Sequence, residues 1–260
     1  MGPRVIDWGT GEYEHTAAEL EPVAEHVVSL AALQRGERVV DIACGTGNAA
    51  LLAAHQGAVV SGIDAAPRLI QVARERAAKA GLAATFVTGD AQQLPFDDHD
   101  FDVALSVFGL IFADDPDRAF GELVRVVRPG GRAFVSAWVP AGPIDAMLGV
   151  FARAIAAATG RTMRRFAWHD REAVAELAAR HGAEVRFHDG RLASVAASPE
   201  EYLAANEERH PRSLAGRPLL EQAGTYAAAR SEALAVLRQG NEDPERFRVT
   251  SPYRVIEVRR

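Results

Sequence analysis

The 260-residue chain carries 29 basic and 35 acidic residues, a formal charge of −6 that lacks the positive surface expected of a nucleic-acid-binding protein. Its single cysteine, Cys44, excludes an internal disulfide and argues against a cysteine-based zinc site, so we expect no metal. The N-terminus has no apolar targeting region, and no stretch reaches the roughly eighteen apolar residues that a membrane span needs. These features predict a cytoplasmic protein without a membrane partner, built as one large domain or as one domain with an insertion.

The first half of the chain alternates strand and helix patterns, which is typical of a parallel sheet with helices on both faces. The expected strands are 38–43, 58–63, 84–88, 102–107 and 132–138, with helices at 48–56 and 67–80. A third helix should begin after the Asp115-Pro116 cap and end near Val127, and 128–131 should form a tight turn.

After Trp138 the regular alternation of strand and helix patterns ends. We expect helices at 144–159, 171–181, 200–209 and within 216–239, a strand containing Val185 and Phe187, and a last strand at 246–258. The domain organisation that follows is a lid segment at 1–30, a core at 31–138, and the remaining strands with helical insertions near 140–169 and 196–240. We expect the insertions to fold over the carboxyl ends of the strands, where open α/β sheets bind ligands.

A glycine-rich loop in VVDIACGTGNAA, residues 39–50, satisfies the loose dinucleotide pattern from Gly45 onward. Asp41 lies four residues earlier, and its carboxylate would repel a pyrophosphate but attract the ammonium and sulfonium groups of S-adenosylmethionine (SAM). Such a charge pair at about 4 Å is worth roughly 1 kcal/mol in water and about 4 kcal/mol at an effective dielectric of 20. The alternative is that Asp41 only orients the backbone of the loop.

Two further acids lie at strand ends. Asp64 follows the second strand, where a carboxylate can accept both ribose hydroxyls of either NAD or SAM. Asp90 follows the third strand and can accept a hydrogen bond from an adenine amine, while the N–H of Ala91 meets the ring nitrogen. The alternative for Asp90 is a simple turn former.

In order and spacing, VVDIACGTGN, SGIDAAPRLIQVAR, FVTGDAQQLPF, FDVALSVFGL and VRVVRPGGRAFVSAW resemble the successive motifs of class I SAM-dependent methyltransferases, over roughly residues 30–138. The resemblance implies an α/β, Rossmann-like fold with a seven-stranded sheet, an antiparallel last strand, helices on both faces and helical cap insertions. The cofactor contacts that we infer in this way are Tyr13, Asp41, Ala43, Cys44, Gly45, Gly47, Asn48, Asp64, Ala65, Asp90, Ala91, Gln92, Ser106, Val107 and Phe108. The family often has glycine where Ala43 stands, and alanine fits there if its φ is negative.

The acceptor site is expected to be aromatic, with walls formed by Trp8, Phe108, Trp138 and Trp168. A hydroxyl or enol acceptor also needs a base, for which His15 and His169 are the candidates, with a structural role as the alternative for each. Cys44 is interpreted as a small loop residue rather than a nucleophile. The acidic cluster at 97–100 is interpreted as a solvated turn rather than a metal site.

Three functions are consistent with these patterns. The first is a methyltransferase that moves a methyl group from SAM to an O, N or C atom of a small molecule and releases S-adenosylhomocysteine. The second is a SAM-binding protein that no longer methylates, such as a cyclase or a binding module, and the third is an NAD-dependent oxidoreductase. The acceptor, the methylated atom and the oligomeric state, for which a homodimer is one candidate, stay open.

Overall fold

The computed structural model describes residues 6–160 and 165–260, which divide into two compact units. The sheet unit comprises residues 20–138, 166–190 and 253–260. The described part of the helical unit comprises residues 6–19, 139–160 with Arg165, and 191–252. No helix among these described residues is both long and apolar enough to cross a membrane.

A seven-stranded sheet has the strand order β3-β2-β1-β4-β5-β7-β6. Its strands are β1 Arg38–Ile42, β2 Val59–Asp64, β3 Ala84–Thr88, β4 Phe101–Val107, β5 Val127–Trp138, β6 Glu184–Ala196 and β7 Phe247–Arg259. Strands β1 to β5 pair in parallel, whereas β7 runs antiparallel to β5 with Trp138 opposite Tyr253. The predicted fold class, including the antiparallel last strand, is confirmed.

The helices that belong wholly to the sheet unit are α2 Asn48–His55, α3 Pro67–Ala80, α4 Pro116–Val126 and α6 Arg171–Arg180. Their starts follow the local sequence, because Asp115 accepts a hydrogen bond from the N–H of Arg118 and Asp170 accepts from the N–H of Ala173. Apolar residues of α4, α6 and the strands form one buried core, which includes Phe120, Leu123, Leu177, Val135 and Ile256. The side of the sheet that α4 and α6 cover is therefore apolar and buried.

The helical unit contains α5 Gly142–Thr159, α7 Pro199–Arg209, α8 Pro211–Gln222 and α9 Tyr226–Gln239. It has its own core, in which Met147, Leu203, Leu220, Leu237 and Phe247 are buried. The stretch 216–239 thus holds parts of two helices.

Two local features differ from the sequence prediction. Residues 13–31, expected only as part of a lid segment, form the 19-residue helix α1 Tyr13–Ala31. The tight turn expected at 128–131 is a bulge inside β5, because Val127 pairs with Phe101 whereas Arg132 already pairs with Val103. Gly130 absorbs the extra length with a φ of +76°.

Candidate functional site

The loop between β1 and α2 contains three residues with a left-handed backbone conformation. Ala43, Gly45 and Gly47 have φ values of +55°, +54° and +85°. The condition of a negative φ, under which alanine would fit at position 43 without strain, is therefore not met, and the left-handed backbone costs a non-glycine residue about 1–2 kcal/mol. The N–H of Gly47 donates to the carbonyl of Cys44 at 2.9 Å, which closes the turn just before α2 begins.

Asp41 lies beneath this loop, near the end of β1, and is only 1% exposed. Its Oδ2 accepts a hydrogen bond from the N–H of Ala50 at 3.0 Å and so fixes the first turn of α2. Burial raises the pKa of Asp41 to about 7, and the charge of Asp64 acts in the same direction. The structure thus shows the orienting role that the sequence left as an alternative.

Asp64 joins two loops at the end of β2. Its Oδ2 accepts from the N–H of Gly45 and its Oδ1 accepts from the N–H of Ala66, both at 2.8 Å. Burial raises the pKa of Asp64, while these two hydrogen bonds lower it. A carboxylate has about four acceptor positions, so two stay available beside the glycine loop.

Asp90 is exposed and organises the loop after β3. Its Oδ1 accepts from the N–H of Gln92 at 2.9 Å and from Nε2 of Gln92 at 3.2 Å. The Oε1 of Gln92 in turn accepts from the N–H of Asp115 at 2.7 Å. Gln92 therefore anchors this loop to the start of α4, and Ala91 is held half-buried between them.

Arg76 of α3 is a site residue that the sequence did not reveal. Its Nη1 donates to the carbonyl of Thr46 at 2.8 Å and to Oδ1 of Asn48 at 2.6 Å. Arg76 thereby holds the glycine loop from the α3 side. Only the packing of α3 beside the loop brings it there, since 28 residues separate it from Asn48.

Ser106, predicted to flank the cofactor, is fully buried. Its Oγ donates to the carbonyl of Ile42 at 2.8 Å and accepts from the N–H of Leu110 at 2.9 Å. The hydroxyl proton is therefore already used, and the structure gives Ser106 the role of tying β4 to β1. Its neighbour Val107 is half-buried.

Phe108 and Trp138, at the ends of β4 and β5, form a stacked pair. Their ring centroids are 4.0 Å apart and the planes differ by 7°. Phe108 is 4% exposed, has a φ of +53°, and donates its N–H to Oγ of Ser136 at 2.9 Å. The two predicted aromatic residues are thus brought together as one packed unit.

Tyr253 of β7 and His26 of α1 extend this aromatic pair. The ring of Tyr253 meets Phe108 edge-on at 6.0 Å, and its hydroxyl lies 2.7 Å from Nδ1 of His26. Burial raises the pKa of Tyr253 and lowers that of His26, and the charge of His188 lowers the latter further. The sequence placed Tyr253 in a strand, but only the strand register sets it beside Trp138.

Trp168 and His169 differ in position although they are adjacent. Trp168 is 4% exposed and packs in the core against Phe166 and Phe120, so the structure places it away from an open wall. His169 is half-buried, and its carbonyl accepts a hydrogen bond from Nη1 of Arg254.

The predicted lid residues Trp8, Tyr13 and His15 belong to the helical unit. Trp8 makes edge-to-face contacts with Tyr13 at 6.1 Å and with His210 at 5.9 Å. His15 is exposed, with its Nε2 3.4 Å from Glu19. Trp8, Tyr13 and His210 thus form an aromatic cluster within the helical unit.

Cys44 and the acidic cluster at 97–100 have the structural roles that the sequence analysis gave them. Burial and the charges of Asp41 and Asp64 raise the pKa of Cys44 well above its usual value, which leaves an inert thiol. Ala65 is exposed next to Asp64. In the cluster at 97–100, Asp98 pairs with Arg125 at 2.8 Å, as is typical of a surface turn.

Comparisons with known proteins agree with this geometry. A family model described as "Methyltransferase domain" matches residues 40–135. An uncharacterized protein of Mycobacterium tuberculosis is 34% identical over 186 residues, which cover 71% of this chain and 68% of the relative. The demethylmenaquinone methyltransferase of Thermus thermophilus is 41% identical over 115 residues, 44% of this chain and 52% of that protein.

Among solved structures, phosphoethanolamine N-methyltransferase 2 of Haemonchus contortus in complex with SAM has a TM-score of 0.57 at 19% identity. The similarity covers 92% of this chain and 52% of that chain, and shows the fold alone. This chain also spans about half the length of the curated relatives that it matches at 42% identity. On the match at residues 40–135, the relatives and the fold, the chain belongs to the class I SAM-dependent methyltransferase superfamily.

Proposed function

We propose that this chain binds SAM at the glycine loop of the sheet unit and transfers its methyl group to a small-molecule acceptor, releasing S-adenosylhomocysteine. The observation that carries the proposal is Asp64, a buried carboxylate bonded to the loops on both sides through Gly45 and Ala66. A carboxylate fixed in this way can accept hydrogen bonds from the ribose hydroxyls of an adenosine.

The electrostatics of the loop support a cationic ligand. Asp41 and Asp64 both lie against it, and their charges together raise the pKa of Cys44 within the loop. The guanidinium of Arg76, on α3, already donates hydrogen bonds to Thr46 and Asn48. In their ionised form these acids would repel a pyrophosphate, whereas an ammonium or sulfonium about 4 Å from one of them would be attracted by about 4 kcal/mol at an effective dielectric of 20 and would favour the ionised form.

The residues present fit an adenosine as well as a cation. Asp64 has acceptor positions left for the ribose hydroxyls, and exposed Ala65 follows it. Asp90 and the backbone of Ala91 would hold the adenine edge, while Gln92 keeps that loop in place. The backbone of residues 43–48 would hold the amino-acid end.

SAM supplies a methyl group on a sulfonium, and the displacement needs the acceptor, methyl and sulfur in line. The chain's own part is to orient the acceptor and to exclude water. We assign the second task to the stacked pair of Phe108 and Trp138, which Tyr253 buttresses. For a hydroxyl acceptor, His169 would take the proton, whereas an amine acceptor need only arrive neutral.

The acceptor is proposed as a small molecule because the formal charge of −6 disfavours a nucleic acid. The relative named for demethylmenaquinone matches only 44% of this chain, so its acceptor is not carried over. The non-methylating and NAD-dependent alternatives are not favoured by the family or by the acids around the loop.

The test is a screen of hydroxyl, amine and activated-carbon acceptors with the full chain, SAM and a coupled assay for S-adenosylhomocysteine. We expect turnover with at least one acceptor and, for a hydroxyl acceptor, a loss of about 10²-fold in His169→Ala. His55→Ala, an exposed histidine of α2, is the matched control and should keep full activity. Saturable SAM binding without turnover on any acceptor would instead identify a binding protein, and the proposal would fail.

A further inference from the structure

The helical unit contains a cavity of about 530 Å³, measured out to its open mouth. Pockets for small molecules have mostly apolar walls. Here the apolar walls come from α5 and α8, with Leu148, Phe151, Ile155 and Leu220 as the main contributors. The cavity therefore has the lining of a ligand site.

Three charged side chains line this cavity among the described residues, and two of them are already balanced. Glu207 is 6% exposed, and its carboxylate accepts from the hydroxyl of Tyr226 at 2.7 Å and from Nε of Arg230 at 3.0 Å. Arg217 pairs with Glu221 at 2.7 Å and lies over the ring of Tyr226. Neither of these charges needs a ligand.

Arg212 is the third charged residue, and it is left without a counterion. Within residues 6–160 and 165–260, no acidic side chain lies at ion-pair distance from its guanidinium; only its backbone N–H is bonded, to Nδ1 of His210 at 3.2 Å. Burial lowers the pKa of Arg212, and the positive charge of Arg165 lowers it further. An unpaired, partly desolvated cation is unfavourable, so an anion entering the cavity would be attracted to it.

The position of Arg212 at the start of α8 adds to this attraction. It is the second residue of the helix Pro211–Gln222, where the helix dipole favours a negative charge, while the N–H groups of residues 212–214 already donate to His210. A planar guanidinium also matches a carboxylate with two parallel hydrogen bonds.

We propose that this cavity binds a small amphipathic carboxylate, with the carboxylate on Arg212 and an aliphatic or aromatic body against the walls of α5 and α8. A single negative charge fits, because Glu207 lies in the same cavity. The site concerns the helical unit alone and goes beyond methyl transfer.

The test is calorimetric titration of the full chain with octanoate, decanoate and dodecanoate, and with the primary amides of the same lengths. We expect saturable one-to-one binding of at least one carboxylate, and affinity at least about tenfold weaker for its amide, which lacks the charge. This comparison uses the unmodified chain and so does not depend on how a variant folds.

Variants locate the site. Arg212→Gln should weaken carboxylate binding by about tenfold and leave the amide unchanged. The control Arg153→Gln, in the exposed pair of α5 with Glu232, should leave both unchanged. Ala152→Phe, which fills the cavity, should abolish binding of both. The proposal is overturned if no carboxylate binds saturably, if amides bind equally well, or if Arg212→Gln binds carboxylates as the unmodified chain does.

Discussion

The acids of the glycine loop in the sheet unit and Arg212 of the cavity in the helical unit differ in how their charges are satisfied. In the sheet unit, Asp41 and Asp64 are almost fully buried, yet each is hydrogen-bonded to backbone N–H groups of its own fold. In the helical unit, Arg212 lines a cavity without a counterion among the described residues. A buried carboxylate at a strand end can be satisfied by the loops that the fold provides, whereas the arginine of the cavity needs a partner from outside. The carboxylates shape the glycine loop, whereas we propose that Arg212 attracts a ligand to the cavity.

The largest expected effect concerns Asp41. The pKa of this carboxyl rises from 3.8 to about 7 on folding because of burial, so folding favours its protonated form. Relative to Asp41→Asn, the unmodified chain should therefore lose stability as the pH rises from about 4 to about 7, by up to about 4 kcal/mol. Urea unfolding of both chains between pH 4 and 8 measures this difference, and a pH-independent difference would contradict the pKa assignment.

Addition of SAM sharpens that comparison. A cation at the loop would stabilise the ionised form of Asp41 but not an asparagine. At pH 8 the stability difference between the two chains should therefore shrink when SAM is present. A difference that SAM leaves unchanged would separate Asp41 from the ligand.

The next effect is expected for Asp64. Asp64→Ala removes the acceptors of two N–H groups, those of Gly45 and Ala66, and the proposed partner of the ribose. We expect a loss of about 1–3 kcal/mol in the free energy of unfolding and a similar loss in SAM affinity. Asp114→Ala, an exposed acid before α4, is the control and should alter neither. Unchanged SAM affinity in Asp64→Ala would overturn the adenosine assignment.

A smaller effect tests the hydrogen bond between Tyr253 and His26. Tyr253→Phe keeps the ring against Phe108 but removes the hydroxyl, which should cost about 1 kcal/mol of stability. In a His26→Phe background the same change should cost less, because the partner is already gone. A double-mutant cycle measures the coupling, and strictly additive losses would show that the 2.7 Å contact contributes nothing.

The smallest effect is expected at Ala43. Ala43→Gly relieves a left-handed alanine worth about 1–2 kcal/mol, partly offset by the greater freedom of glycine in the unfolded chain. The net gain should be below about 1 kcal/mol. Ala54→Gly, inside α2, should instead cost about 1 kcal/mol. Thermal unfolding measures the change in stability of each variant. A loss of stability in Ala43→Gly would contradict the strain assigned to Ala43.

Features that depend on local sequence were predictable. The caps Asp115 and Asp170 and the strand-end position of Asp64 follow from short patterns, and the structure has each of them. The pattern at residues 128–131 predicted a turn, but the register against β4 makes it a bulge. Local patterns thus located the elements, and strand pairing decided their details.

Features that depend on which face a side chain takes were not predictable. Ser106 lies near a strand end, where ligand-binding residues are common, but its hydroxyl is hydrogen-bonded to the backbone of Ile42 and Leu110. Trp168 looked like a pocket wall and lies in the core. Arg76 reaches Asn48 across 28 residues, a contact that only helix packing produces.

We propose that the glycine loop of the sheet unit binds SAM and not a dinucleotide. Isothermal titration of the full chain with SAM and, separately, with NADH distinguishes the two ligands. We expect saturable one-to-one binding of SAM, weakened at least about tenfold in Asp64→Ala, and no binding of NADH. Saturable binding of NADH without binding of SAM would contradict it.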